Sequence, residues 1–379
     1  MTSRGFVVPH ADPGAEYRAM KGSIDGAVHR VLASGQYVLG GECAGFEDEF
    51  AGWLGVARAV SCASGTDALI LAMKALGIGP GCSIVTVSHT AVAVVAAIEL
   101  VGATPILIDV DPDHYTMDPM ELAAVLDHRP LGWPPVRGVI PVHLYGQSAD
   151  MDAILQICAR REVPVIEDCS QAHGATWHGR MVGTFGSMAA FSLYPTKNLG
   201  ALGDAGVLVT SDETLADRAG SIRQYGWGER FHSEQVGMNS RLDELQAGIL
   251  RAKLPYLDAM NRRRRVIASA YDAVLADSCI APPVTRPGAE HAFNQYVVRA
   301  PDRDALRSRL LEEGIGTGVH YPVPIHRQSA YAGRLPLGPS GCRRTEAVAT
   351  EIMGLPIFPE LTDAQVDHVC SALHRLGRQ

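Results

Sequence analysis

The chain has 379 residues, 47% of them hydrophobic and 20% charged, with a net charge of −8. That length allows two domains of about 100–200 residues each. The composition excludes global disorder, and the acidic balance argues against a nucleic-acid binder. The most apolar stretch, residues 91–108, is broken by Glu99, Gly102 and Pro105. It reads as a buried helix followed by a strand, short of the ~20 apolar residues of a membrane span. The first ten residues lack the apolar core of a secretory leader. Eight cysteines form no CxxC pair and no metal-ligand spacing, as expected of reduced thiols in a cytoplasmic protein.

From Arg58 to Thr210, short apolar runs alternate with helical segments. Candidate strands lie at 58–61, 83–87, 105–110, 138–143, 163–167, 188–193 and 206–210, with helices at 66–76, 91–101, 119–126 and 151–160. Most of the runs are near-continuously apolar and rich in β-branched residues, as in strands buried on both faces of a mainly parallel sheet. Their alternation with helices implies an α/β sandwich. Residues 241–275 predict one long helix or two in sequence, and a Pro-rich stretch follows at 281–287. The remainder reads as a smaller α+β unit, with strands near 294–299 and 316–320 and helices at 303–313, 343–353 and 363–376. The boundary is placed near 260–285, dividing a large domain, 1–260, from a small C-terminal domain, 261–379. The four-arginine run at 262–265 reads as a solvated helix face or an interface.

Lysine occurs only at 21, 74, 197 and 253, the rest of the 33 basic side chains being arginine. Where positive charge alone suffices this chain uses Arg, so each Lys is a candidate for chemistry that needs an amine able to lose its proton. Lys197 stands after the 188–193 strand in a loop with glycines at 200, 203 and 206. Apolar surroundings would lower its pKa and suit it to attack an aldehyde; an exposed loop lysine is the plain alternative.

Glu167 and Asp168 close the 163–167 strand, at the edge where open α/β sheets place ligands. An Asp there can pair with a protonated pyridine nitrogen. Glu167, Asp168, His173 and His178 are close enough in sequence to raise a metal site, although no standard zinc or magnesium spacing is present. Ser64-Gly65-Thr66 joins a strand to a helix, which suits a phosphate and equally suits simple helix capping.

These pieces occur in a set order: a phosphate-type turn, an Asp at a strand end, then a Lys. The chain resembles the nucleotide-sugar aminotransferases dependent on pyridoxal phosphate (PLP), of the aspartate aminotransferase fold type I superfamily. The resemblance is carried by Ser64-Gly-Thr-Asp-Ala-Leu, Glu167-Asp-Cys-Ser-Gln-Ala-His-Gly-Ala, Ser192-Leu-Tyr-Pro-Thr-Lys-Asn-Leu-Gly, Gly237-Met-Asn-Ser-Arg-Leu-Asp-Glu and His320-Tyr-Pro. It implies a mainly parallel central sheet sandwiched by helices, with a smaller C-terminal α+β domain.

By resemblance, Lys197 is the catalytic amine and Asp168 the partner of the pyridine nitrogen. Gln171 lies near the ring's phenolic oxygen, and Gly65, Thr66 and Ser192 hold the phosphate. Asn239 reaches that phosphate from the neighbouring subunit of a homodimer with shared sites, and His320 and Tyr321 lie near the sugar. The aromatic residue the family places over the ring aligns with Ala91, and His89 is the candidate substitute.

The implied reaction moves an amino group from L-glutamate to a keto group of a nucleotide-linked deoxysugar. Segments 225–231 and 320–326 are more similar to relatives that aminate carbon 3 than carbon 4, and Arg230 is a candidate diphosphate contact. A 4-keto sugar, a keto-cyclitol, or a non-catalytic PLP-binding regulatory role are the alternatives. Relatives that are dehydratases carry His in place of the lysine, and Lys197 disfavours that reading.

Overall fold

Residues 7–378 are described by a computed structural model; the reading of a missing leader rests partly on residues 1–6, which lie outside them. A four-stranded and a three-stranded sheet join edge to edge through parallel bridges at Val139–Val165 and Val142–Asp168. The strands are β1 (Arg58–Cys62), β2 (Ser83–Val87), β3 (Thr104–Ile108), β4 (Val136–Val139), β5 (Ile166–Asp168), β6 (Met188–Ser192) and β7 (Gly206–Thr210). Their order across the joined sheet is β3-β2-β4-β5-β6-β7-β1. Only β7 runs against its neighbours; the other pairs are parallel.

Helices cover both faces, which is why β2 and β7 are buried at every position. On one face Leu71 and Ile98 pack with Ile84 and Ile106. On the other, Phe46, Phe50 and Leu250 pack with Phe191 and Val207, and the Phe50 ring meets Phe191 edge-on at 5.3 Å. Helix starts follow local capping chemistry: Ser64, Asp118, Asp150 and Asp212 each accept an amide of the first turn.

The C-terminal part pairs Tyr296–Arg299 antiparallel with Ile352–Leu355. Around that pair, Ile267 and Tyr271 of helix Leu257–Leu275 pack with Val369 and Leu373 of helix Asp363–Leu376.

Three expectations need correction. The helix expected at 343–353 ends at Glu351, and Ile352 turns extended, because a wholly buried apolar run there completes the two-stranded pair. The strand expected near 316–320 is reduced to single bridges, Val8–Ile315 and Gly318–Gly354; glycines at 314, 316 and 318 leave little to pack. The arginine run is a solvated face only in part: Arg262 is exposed and Arg263 and Arg265 are half-buried, but Arg264 turns inward. Buried Arg264 donates to the carbonyls of Phe293 and Ile357 at 3.3 and 2.7 Å, Arg263 pairs with Asp363 and Arg265 with Glu290.

Candidate active site

The parallel strands β2, β5 and β6 deliver His89, Asp168 and Lys197 to one edge of the sheet. Asp168 is the last residue of β5 and buried, and its Oδ1 accepts the Ser170 amide at 3.0 Å. Lys197 follows β6 by five residues. Burial pushes its amine down to about 8, and the Asp168 charge pulls it partly back up.

The lysine loop is held from three sides. Buried Asn198 donates to Asn261 at 2.7 Å and to the Ala292 carbonyl at 2.9 Å, and accepts from Asn294 at 2.9 Å. Asn261 also donates to the His173 carbonyl at 2.8 Å, which ties the lysine loop to the loop after β5. Lys253, itself buried, donates to the Gly200 carbonyl and pairs with Glu16 at 2.5 Å. Of the four lysines it is thus a structural one.

Further residues expected at the site join the same cluster. Gln171 donates to the Tyr321 hydroxyl at 3.1 Å. Burial, and then the charge of Asp168, pushes that hydroxyl up to about 12. Burial and the charge of Lys197 hold His320 below the ordinary histidine value. Gln171 and Tyr321 are thus in direct contact, and the charges of Asp168 and Lys197 are felt at Tyr321 and His320.

His89 is buried, and its Nε2 lies 2.8 Å from the Tyr145 hydroxyl. Tyr145 gives its own hydrogen to the His320 carbonyl, so the His89 bond must run from imidazole N–H to phenol oxygen. That assigns the proton to Nε2 and leaves Nδ1 bare. Burial holds the ring down at about 4 against the pull of Asp109, so it is neutral.

Tyr145 is the residue that reading the sequence missed. Its amide donates to Gln171 at 2.7 Å, its carbonyl accepts from Gln295 at 3.1 Å, and its hydroxyl joins His89 to His320. The strand-end rule that singled out Asp168 would also have found it, two residues beyond the run at 138–143.

The Ser64-Gly65-Thr66 turn opens helix Gly65–Ala75. The first amides of a helix have no partner within it; the Ser64 hydroxyl takes that of Asp67 at 3.1 Å, and those of Gly65 and Thr66 could hold an anion. A Cβ on Gly65 would lie 2.6 Å from the Ser192 Cβ, so these two residues form one surface. Ser240 braces the turn, donating to Asp67 at 2.6 Å and accepting the Ala63 amide at 3.1 Å. Its neighbour Asn239 is exposed, as is Arg230, whose guanidinium lies over Phe231.

Glu167 takes no part at the site: its oxygens accept from His143 and from the amides of Gly183, Phe185 and Gly186. His173 is fully buried against Phe191, and His178 lies 3.4 Å from Asp152.

The residues fit the cofactor implied by the sequence. An amine near 8, a buried carboxylate at a strand end, and a side-chain-free helix start beside a serine hydroxyl match an aldehyde, a pyridinium and a phosphate. Fold and site together define a PLP-dependent transferase.

Residues 19–374 match the DegT/DnrJ/EryC1/StrS aminotransferase family. The chain is 44% identical over 368 residues to the dTDP-3-amino-3,4,6-trideoxy-alpha-D-glucose transaminase of Streptomyces venezuelae, across 97% of this chain and 95% of that one. It is 38% identical over 357 residues to the UDP-2-acetamido-2-deoxy-3-oxo-D-glucuronate aminotransferase of Pseudomonas aeruginosa, across 93% and 96%. Among solved structures, S. venezuelae DesV in complex with a ketimine intermediate superposes with a TM-score of 0.93 at 42% identity, over 98% of this chain and 99% of that one. The chain belongs to the DegT/DnrJ/EryC1/StrS aminotransferase family and is a PLP-dependent aminotransferase.

Proposed function

We propose that this enzyme carries an amino group from L-glutamate to carbon 3 of a nucleotide-linked deoxyhexose. One observation carries the reading. Two relatives that handle different nucleotides and sugars, one named for a 3-amino sugar and one for a 3-oxo sugar, each match nearly the whole chain.

Bound PLP supplies an electron sink for the carbon that loses a proton. The chain's own groups do the rest. Lys197 Nζ, near 8, accepts and returns a proton close to neutral pH with little driving force lost. Asp168 supplies the negative charge for the ring nitrogen, and Gly65, Thr66 and Ser192 bind the phosphate. Tyr321 keeps its proton and already accepts from Gln171, so its O–H is left to donate to a ligand oxygen.

We assign the active unit as a homodimer in the cytoplasm, Asn239 of each copy reaching the other's phosphate. Asn239 is exposed, and the segment around it exposes Phe231 and Val236 by 77% and 85%, the kind of apolar surface another copy covers. No helix among the described residues is long and apolar enough to cross a membrane.

The test is to add L-glutamate to the purified holoenzyme, follow its visible absorbance, then offer a panel of nucleotide-linked keto sugars and weigh the products. An absorbance change followed by a mass shift of one amine for one ketone is expected. An unchanged spectrum with glutamate and every other amino acid contradicts the reading.

A further inference from the structure

We propose that His10, on the chain's N-terminal segment, is a sugar-contacting residue, paired with His320 as one hydrogen-bonding surface for hydroxyls of the acceptor hexose. This rests on the nucleotide-sugar reading above.

The backbone brings His10 there. The amides of Val7 and Val8 donate to the Gly314 carbonyl at 2.9 and 3.1 Å, and the Gly316 amide donates to Val8 at 2.8 Å. The segment is thereby laid along residues 314–318, and the His10 ring stacks on His320 at 5.7 Å with 23° between planes.

The floor beneath the pair is bare backbone. Gly318 and Gly354 exchange amide–carbonyl bonds of 3.1 and 2.7 Å. A Cβ on Gly318 would lie 2.6 Å from His10 Nε2 and 2.9 Å from His320 Cε1, and one on Gly354 would lie 3.1 Å from His10 Cε1. Glycine at both positions keeps room for an imidazole at position 10.

Packing alone does not account for the residue types. Nδ1 of His10, Nδ1 of His320 and Oε1 of Gln295 are buried without a hydrogen-bond partner. Gln295 Oε1 is also within reach of the Gly354 floor, 3.6 Å from that Cβ position. Folded proteins leave few buried polar atoms unpaired, and three around one glycine floor point to a ligand that supplies the missing partners.

The charge state selects the ligand. Burial and the neighbouring His320 hold His10 down at about 4, and burial with Lys197 lowers His320. Both rings are neutral near pH 7, each with one N–H and one bare nitrogen. Hydroxyls, which donate and accept, match that pair; a diphosphate calls for cations. The segment carrying His320 is tied into the active site, its carbonyl accepting from the Tyr145 hydroxyl and its neighbour Tyr321 accepting from Gln171 at 3.1 Å, which sets the pair beside the end of the ligand assigned to the hexose.

The experiment measures binding of dTDP, dTDP-glucose, UDP and UDP-glucose to the holoenzyme and to H10F and H10N, together with the glutamate half-reaction of each. The wild type should bind one sugar nucleotide more tightly than its bare nucleotide. H10F should lose about five- to tenfold of that advantage, the size of one missing buried hydrogen bond to a ligand. Its affinity for the bare nucleotide and its glutamate half-reaction should be unchanged, and H10N should recover part of the loss. An H10F enzyme with the full sugar advantage overturns the proposal, as does an equal loss for nucleotide and sugar nucleotide. If the wild type shows no sugar advantage with either nucleotide while glutamate still reacts, the nucleotide-sugar reading falls and the proposal falls with it.

Discussion

Gly65 and Ser192 meet with no room for a side chain between them: a Cβ on Gly65 would lie 2.6 Å from the Ser192 Cβ and 2.9 Å from its Cα. One opens a helix after β1 and the other ends β6, so the contact aligns two sheet strands at the turn assigned to the phosphate. Alanine in a helix ordinarily improves on glycine by about 1 kcal/mol. Here the backbone of Ser192 stands in the way, and the clash outweighs that gain. Gly65→Ala should destabilise the fold by about 1–3 kcal/mol and weaken PLP binding, read by thermal unfolding and by fluorescence titration. A variant as stable as the wild type with unchanged cofactor affinity contradicts the assignment.

Lys197 should show its lowered pKa in the cofactor-free protein. Below about 8 the ammonium predominates and cannot attack an aldehyde; above it the free amine does. The rate of covalent attachment of PLP should therefore rise with pH through about 8 and level off, well before an ordinary lysine's 10.5. Asp168 pulls the value up, so Asp168→Asn should move the midpoint down. A midpoint that moves up would show that the carboxylate does not act on Lys197 as described.

Borohydride reduction of the holoenzyme should fix the cofactor on the peptide carrying Lys197. Lys253 is committed to Glu16 and the Gly200 carbonyl, so label found there refutes the assignment of the amine.

Asp109 joins the sheet to the helix Arg343–Glu351. Its buried carboxylate accepts the amides of Arg344 and Thr345 at 2.8 Å each, the Thr345 hydroxyl at 2.8 Å and the Ser340 hydroxyl at 3.1 Å. Burial alone would raise its pKa, but these donors hold it below the usual range. Its contribution to stability is thus present above the unfolded carboxyl pKa and lost as pH falls through the lowered one. Asp109→Asn turns an acceptor into a donor facing donors, and should cost about 2–3 kcal/mol in denaturant unfolding at pH 7. A change within error would show the network to be dispensable.

Mixing inactive Lys197→Ala with an inactive Asn239 variant should restore part of the activity, because some mixed dimers hold one intact site. No restoration in a preparation shown to contain mixed dimers argues against Asn239 acting across the subunits.

The sheet was legible because its strands are buried on both faces and read as unbroken apolar runs. Lys197 stood out because arginine fills nearly every other basic position. Tyr145 gave a weaker signal, its place two residues beyond the expected run at 138–143; its left-handed backbone, φ 61°, is set by the turn and not by its residue type. His10 gave none, since it reaches His320 through pairing with residues some 300 positions away. The helix Gly41–Leu54 was overlooked although Phe46, Phe50 and Leu54 repeat at helical spacing and all face the core. At 352–355, helical periodicity from the preceding turn hid a strand whose existence depends on its partner at 296–299.

The most direct test of the proposed function compares kcat/KM for a nucleotide-linked 3-keto-6-deoxyhexose and its 4-keto isomer, with the same nucleotide and glutamate as donor. The reacting ketone must come within about 3–3.5 Å of the attacking nitrogen, so the groups gripping the sugar decide which carbon reacts. The enzyme should show a clear preference for the 3-keto isomer. A preference for the 4-keto isomer, or for a keto-cyclitol without a nucleotide, would contradict it.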